Sequence, residues 1–342
     1  MSVQRLPAHE ISPELDLQPS WQHELSAVIR DPAELLQLLE LPDALLPAAQ
    51  AASQLFPLRV PRPFLSRIEK GNFEDPLLQQ ILPLDAENQI SAGYSADPLA
   101  EQNSNPQRGL VYKYHGRVLL VVAPSCAINC RYCFRRHFPY ADNNPSRSQW
   151  QDTFDYISAD DTINEVIYSG GDPLAAPDRQ LQWLTEQIAK IPHIKRLRVH
   201  TRLPVVIPQR ITTDTLTWLT QPGLQSVMVL HINHANEIDD AVRNSIAKLR
   251  AAGVTLLNQS VLLKGVNDKI EALTNLSEAL FAEGVLPYYL HLLDKVQGAA
   301  HFDLAEARGI ELHRQMQHRL PGFLVPKLTR EEPGAKSKTL IR

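Results

Sequence analysis

Residues 118–133 read Val-Leu-Leu-Val-Val-Ala-Pro-Ser-Cys-Ala-Ile-Asn-Cys-Arg-Tyr-Cys. An apolar run ends at a proline, and three cysteines follow within eight positions: Cys126, Cys130 and Cys133. The other 339 residues contain none. Cysteines used as small hydrophobes would be scattered, and an odd count in a chain with no secretory pattern disfavours a disulfide. Gathered thiolates are soft ligands that select iron–sulfur clusters, zinc or copper. A cubane cluster held wholly by protein takes four thiolates. With only three here, a [4Fe–4S] cluster on this loop would keep one iron open for another ligand. Zinc is the competing reading, because His137 would complete the Cys-Cys-Cys-His set of a structural zinc site.

The run at 118–123 fits a buried parallel strand. Similar runs stand at 165–168, 197–199, 227–230, 256–261 and 288–292. After the first, they recur about every thirty residues, the length of a βαβ unit. Helical patterns lie between them. Leu181, Leu184 and Ile188 line one; Ile238, Val242, Ile246 and Leu249 line another, stopped by Gly253. Ile270, Leu273, Leu276 and Leu280 line a third, stopped by Gly284. Six units are fewer than the eight of a closed barrel. The expected fold is therefore α/β, a partial (β/α)6 TIM-like barrel over residues 109–328.

Residues 1–108 read as a loose arm (1–20), a helical region (21–82) and a polar connector (83–108). In the helical region Asp31-Pro32 is a cap followed by proline at the first helical position. Leu35, Leu36, Leu38 and Leu39 then form an apolar face. A second helix is expected from Pro42-Asp43 to Leu55, and a short one from Phe64 to Glu69, ended by Gly71. Residues 329–342 form a charged tail.

Barrels of this type carry their reacting groups at the carboxyl ends of the strands. The cysteines follow the first run, and Ser169-Gly170-Gly171-Asp172 follow the second. His200 and Arg202 follow the third; His231, Asn233 and His234 the fourth. Gln259 lies in the fifth, and His291 and Asp294 end the sixth. Each taken alone has a plain reading: Gly170-Gly171 a tight turn, a strand-end histidine a hydrogen-bonded core residue.

The formal net charge is −4 with 21% charged residues, which argues against a nucleic-acid binder. The basic run 195–202 reads as strand flank. The N-terminus lacks the apolar segment of a signal peptide, and the run at 118–123 is too short to span a bilayer. The expected setting is cytoplasmic, where thiols stay reduced.

The spacing Cys-x3-Cys-x2-Cys, with Tyr132 before the last cysteine, resembles the signature of the radical S-adenosylmethionine (SAM) enzymes. The longer stretch 126–137 is similar to that of the lysine 2,3-aminomutases. The resemblance covers about residues 20–342 and implies the same partial barrel. It implies that Cys126, Cys130 and Cys133 hold a [4Fe–4S] cluster whose open iron binds SAM. Ser169, Gly170, Gly171 and His231 would face SAM. The stretch 330–339, Arg-Glu-Glu-Pro-Gly-Ala-Lys-Ser-Lys-Thr, resembles the segment ending in the lysine that holds pyridoxal 5′-phosphate (PLP). That role would fall on Lys338. Lys336 is a rival, because Ala-Lys-Ser stands where the family has glycines. Tyr114, Arg117 and Gln259 match positions around the PLP phosphate.

For the substrate L-lysine, Arg135 would grip the carboxylate in a fork. Asp294 and Glu331 would receive the ε-ammonium, with glutamate at 331 where larger members have aspartate. The reaction implied is a 1,2-amino shift giving β-lysine, an isomerisation, fed by one electron from a reductant protein. The runs Arg-Arg-His-Phe-Pro-Tyr (135–140) and Leu-Asp-Lys-Val-Gln-Gly-Ala-Ala-His-Phe (293–302) are similar to one short bacterial branch. That branch makes (R)-β-lysine for attachment to elongation factor P by a partner ligase. The resemblance further implies no zinc and a subunit assembly unlike that of larger members, whose zinc cysteines are missing here. Two alternatives stay open on the residues alone: a radical SAM reaction without PLP, and a non-catalytic Cys-Cys-Cys-His zinc module.

Overall fold

The computed structural model describes residues 20–140, 143 and 145–342. The loose arm expected at 1–20 therefore lies, apart from Ser20, outside the described residues. Helix α1 (Pro32–Leu38) begins where the Asp31 carboxylate accepts the Ala33 amide at 2.9 Å. Pro32 takes the position where no N–H is needed. The leucine face is buried through Leu35, Leu36 and Leu39. Helix α2 (Leu46–Leu55) starts later than the Pro42-Asp43 pair suggests, because residues 43–45 tighten into a 3-10 turn. The helix expected over 64–69 is the shorter Arg62–Leu65, anchored by buried Phe64. The connector carries 3-10 turns at Asp85–Asn88 and Glu101–Ser104.

Among the described residues nine strands form one sheet in chain order. They are β1 (Leu110–Tyr114), β2 (Arg117–Ala123), β3 (Glu165–Gly170), β4 (Arg196–Thr201), β5 (Gln225–His231), β6 (Thr255–Val261), β7 (Leu286–His291), β8 (Lys327–Arg330) and β9 (Thr339–Leu340). Strands β2 to β8 are parallel, with β1 and β9 antiparallel at the two edges. The six runs read from the sequence are β2 to β7. The six-strand expectation is thus extended by a seventh parallel strand and two edge strands. These three are short and mixed, Lys-Leu-Thr-Arg in β8, so an apolar-run criterion passes over them.

The crossovers are α3 (Arg147–Ala159), α4 (Asp178–Ala189), α5 (Thr213–Thr220), α6 (Asp240–Ala251), α7 (Ile270–Ala282) and α8 (Glu306–Arg319). Helix α4 buries Leu181, Leu184, Thr185 and Ile188, and α6 buries Val242, Ser245, Ile246 and Leu249. That is the spacing of one helix face, and each buried leucine or isoleucine contributes roughly 1.5–3 kcal/mol. Helices α6 and α7 stop at Gly253 and Gly284, whose φ of 79° and 76° suit the left-handed residue after a helix.

The sheet curls until all its strands face one space. Lys113 of β1, Leu119 of β2, His200 of β4, Gln259 of β6, Lys327 of β8 and Leu340 of β9 line the same cavity. Yet β1 and β9 do not pair, so the barrel is partial. Among the described residues no helix is long and apolar enough to cross a membrane.

Candidate active site

The cavity measures about 1270 Å³ and is walled by the barrel and the loop after β2. This exceeds what one drug-sized ligand needs. Cys126, Cys130 and Cys133 all line it. Their loop is tied to the N-terminal region by Asn129 N donating to Arg59 O at 3.1 Å and Arg131 N to Gln80 O at 3.0 Å. The Cys126 thiol is pushed well up, first by burial and then by Cys133 and Asp172. Burial, with Cys130 beside it, pushes Cys133 up to about 11. Thiols in such a place give up their protons when a bound metal supplies positive charge.

The donor set fits a cluster better than a single ion. Among the described residues no group of three or more His, Cys, Asp or Glu side chains is gathered as one metal ion requires. A cubane spreads its thiolates over separate iron atoms. His137, the fourth ligand of the zinc reading, is exposed and faces the Gln297 carbonyl at 3.4 Å. The three cysteines are therefore not joined by it.

The Gly-Gly turn packs against the cysteine loop. A Cβ on Gly170 would lie 2.4 Å from the Ala123 carbonyl oxygen, and one on Gly171 would lie 2.5 Å from Ser125 backbone. Gly171 N donates to Ala123 O and Asp172 N to Ser125 O, both at 2.9 Å. The sequence alone suggests glycine for close approach to a ligand. The structure adds a nearer cause, close approach of two loops. Asp172 locks the turn to the end of β4: it accepts from Thr201 Oγ1 at 2.6 Å and from the amides of Arg202, Leu203 and Leu174 at 2.7, 2.9 and 3.0 Å.

Under the loop lies a buried cation. Arg202 donates to Cys130 Sγ at 2.8 Å, Tyr132 Oη at 2.6 Å, Gln80 Oε1 at 2.8 Å and Glu237 Oε2 at 2.9 Å. Asn233 donates to Tyr132 Oη and Gln80 Oε1, at 2.7 and 3.0 Å. His231 stacks on Tyr132 with ring centroids 5.7 Å apart. Burial, with Arg202 nearby, lowers His231 to about 3, so it is a neutral imidazole. His234 turns aside to accept the Asn236 amide at 3.2 Å.

The far side of the cavity is built by the sheet's two edges. A two-residue turn, His115-Gly116, joins β1 to β2 and sets Tyr114 beside Arg117, whose guanidinium lies 4.8 Å from the Tyr114 ring centre. At the other edge β9 pairs with β8 and brings Lys338 Nζ to 2.6 Å from Glu331 Oε2. Lys338 lines the cavity, whereas Lys336 is exposed. Burial opposes charge on Glu331, but Lys338 and Lys113 outweigh it and hold the carboxyl well below its usual range. Asp294 is the reverse: burial and then Glu331 push it up to about 7.

Arg135 lines the same cavity. It donates through Nε and Nη2 to Glu101, at 2.7 and 2.9 Å, and through Nη1 to Ser169 Oγ at 2.9 Å. Cavity residues with a buried polar atom that lacks a hydrogen-bond partner include His200, through Nε2, and Asp294, through Oδ1. Native proteins rarely leave such atoms unmet, so the cavity is fitted to a polar occupant. His200 and His291 are both lowered by burial and are neutral. Gln259 lines the wall.

Sequence reasoning passed over Glu101 and Lys113. Glu101 sat in a stretch read as connector and Lys113 in an unread strand. Alternation in Val111-Tyr-Lys113 was the available signal for the second.

Residues 120–276, which include all three cysteines, match the model of the radical SAM superfamily. The chain is 52% identical over 333 residues to "L-lysine 2,3-aminomutase" of Escherichia coli K12, covering 97% of both chains. It is 52% identical over 321 residues to the protein of the same name from Haemophilus influenzae, covering 94% of this chain and 95% of that one. It is 34% identical over 280 residues to the Clostridium subterminale protein of that name, covering 81% of this chain and 67% of the longer relative. Identity of this extent, with the three-cysteine loop and the partial barrel in place, means that the chain belongs to the L-lysine 2,3-aminomutase family, isomerases of the radical SAM superfamily.

Proposed function

We infer that this protein converts L-α-lysine to (R)-β-lysine with a [4Fe–4S] cluster, SAM and PLP. The observation that carries the reading is that one cavity offers partners for both charges. A buried guanidinium, Arg135, and two carboxyls, Glu331 and Asp294, line it together with Lys338. Lysine has the matching ends.

When bound, the cluster and SAM supply a hydrogen-abstracting radical, and PLP supplies the conjugated system on which nitrogen migrates. The chain does the rest. Cys126, Cys130 and Cys133 hold the cluster and leave one iron free. Ser169, Gly170, Gly171 and His231 position SAM beside it. Tyr114, Arg117 and Gln259 would hold the PLP phosphate, and Lys338 would be the lysine that holds PLP itself. Arg135 fixes the substrate carboxylate, while Glu331 and Asp294 fix the ε-ammonium. The buried walls keep water from the radical.

The short-branch runs at 135–140 and 293–302 support a product destined for elongation factor P through a β-lysine ligase, with a reductant protein as electron source. The test is direct. Reduced, reconstituted enzyme given L-lysine, SAM and PLP yields (R)-β-lysine on chiral chromatography; failure to make any β-lysine ends the reading. Borohydride reduction and peptide mapping then place PLP. Label on Lys338 supports the assignment, and label on Lys336 transfers the role. An active enzyme with no label moves the chain to radical chemistry without PLP.

A further inference from the structure

The groups that the proposed function assigns to lysine are engaged within the chain by groups that copy lysine's own charges. Glu101 takes the fork of Arg135 with both oxygens, as a substrate carboxylate would. Lys113 Nζ lies 3.0 Å from Glu331 Oε1, as a substrate ammonium would. The two stand-ins also touch each other, Lys113 Nζ to Glu101 Oε1 at 3.2 Å. All four side chains are 6–16% exposed. Burial opposes the charge of Glu101, yet Arg135 and Lys113 hold it below the usual carboxylate range.

The segment that delivers Glu101 is under strain. Ala100, immediately before it, has φ 48° and ψ 43°, the left-handed region that an alanine rarely adopts. Such strain persists where surrounding contacts over-determine it, and it collects at segments that switch. Here the contacts that flank it are the Glu101–Arg135 fork and the Asp97 carboxylate, which accepts the Glu101 amide at 3.1 Å.

We propose that Glu101 and Lys113 are specificity-determining residues: a displaceable internal occupant that an α-amino acid with a distal ammonium replaces end for end. The inference rests on the reading of Arg135 as the carboxylate grip. On exchange the substrate carboxylate takes Arg135 and its ammonium takes Glu331. Glu101 and Lys113 withdraw as the pair they already form. The carboxylate and ammonium that enter match the pair that leaves, and the α-amino group is directed to PLP, so neither end is buried as an unpaired ion. Lys338 cannot replace Lys113 in this role while it is bonded to PLP.

The test measures binding to unreduced holoenzyme, which does not turn over, by calorimetry. The probes are L-lysine, norleucine (no distal ammonium) and cadaverine (no carboxylate). A charged acceptor on a guanidinium is held about tenfold more tightly than a neutral one. Glu101→Gln therefore tightens lysine and norleucine about tenfold and leaves cadaverine unchanged. Lys113→Met does the opposite pairing: lysine and cadaverine tighten, norleucine does not. Weaker lysine binding in Glu101→Gln, or equal changes for all three ligands, makes Glu101 a scaffold for Arg135 and overturns the proposal. Should Glu101→Gln fail to fold, Glu101→Asp, too short to fill the fork, gives the same direction at smaller size or overturns it. Arg135→Met separates the two readings. Lost lysine affinity keeps Arg135 as the grip whatever Glu101 does, and unchanged affinity removes the grip itself.

Discussion

Asp294 is the place where binding function and stability pull against each other, and Asp294→Asn measures the tension. Its carboxyl is buried, one oxygen has no hydrogen-bond partner, and Glu331 repels its charge. These raise it from 3.8 to about 7. The sign follows from where protons are held. Between those values the folded ligand-free protein keeps a proton that the unfolded chain has released. The raised acid therefore costs stability progressively as pH climbs above 3.8, and the full cost is reached above about 7. By linkage that cost is about 4 kcal/mol at pH 8.5 and about 2 kcal/mol at pH 5. Asparagine carries no charge to bury. The variant, unfolded in urea without cofactors and with its thiols kept reduced, should gain that difference over the native protein, larger at the higher pH. A gain that is the same at both pH values would show that Asp294 ionises freely and that its burial is not opposed. Lysine binding should move the other way. In the native protein affinity rises as pH passes through about 7, because the ε-ammonium requires the ionised acid; in the variant affinity is low and loses that dependence.

Three further perturbations test the frame around the cysteines. Asp172→Ala strips acceptors from three amides and a hydroxyl and should cost about 3 kcal/mol or more in urea unfolding. Asp172→Asn should cost less, since its oxygen keeps the Arg202 and Leu203 amides and its NH2 can face the Thr201 hydroxyl, so that only the Leu174 amide loses its acceptor; equal losses would refute the bonding pattern. Gly171→Ala sets a Cβ 2.5 Å from Ser125 and must displace the residue before Cys126. Iron and sulfide per chain after reconstitution should fall at least severalfold, while Gly322→Ala, which meets nothing, retains them. Arg202→Met leaves Glu237 buried without its cation and should cost about 3–5 kcal/mol. Adding Glu237→Gln should recover most of that loss, and a purely additive double variant would show that the pair is not coupled.

What the sequence disclosed follows from the range of the forces involved. The parallel strands could be read because burial on both faces makes them continuous apolar runs, and helices α4, α6 and α7 because one buried face imposes the 3.6-residue period. Strands β1, β8 and β9 could not, since they are short and mixed in composition and so carry no continuous apolar run. The site divides in the same way. Cysteine spacing is local and Cys126, Cys130 and Cys133 stand out on any reading. Lys338 rested on resemblance alone, because nothing within a charged tail announces that residue 339 will pair with residue 330. Glu101 was invisible for the same reason: its partner Arg135 is thirty-four residues away. The glycines at 170 and 171 were noticed, but their nearest constraint, the backbone of Ala123 and Ser125, is a fact of three dimensions.

The incomplete barrel is itself part of the chemistry. In a closed barrel, strand-to-strand hydrogen bonds would join β1 to the last strands, and no ligand could loosen them without breaking the fold. Here the sheet stops at two edges, and side chains near that seam meet across it. Lys113 of β1 reaches Glu331, just beyond β8, at 3.0 Å, and Lys338, just before β9, shares the same carboxylate. Backbone ladders are fixed by the fold, whereas ion pairs between long side chains can exchange partners with a charged ligand while the strands stay still. Glu331, Lys338 and the aromatic hydroxyl of Tyr114 all sit near this one seam. The cysteine loop follows β2, one strand in from that edge, and lines the same cavity. A mutation that zipped β1 onto β9 would stabilise the barrel and abolish the site.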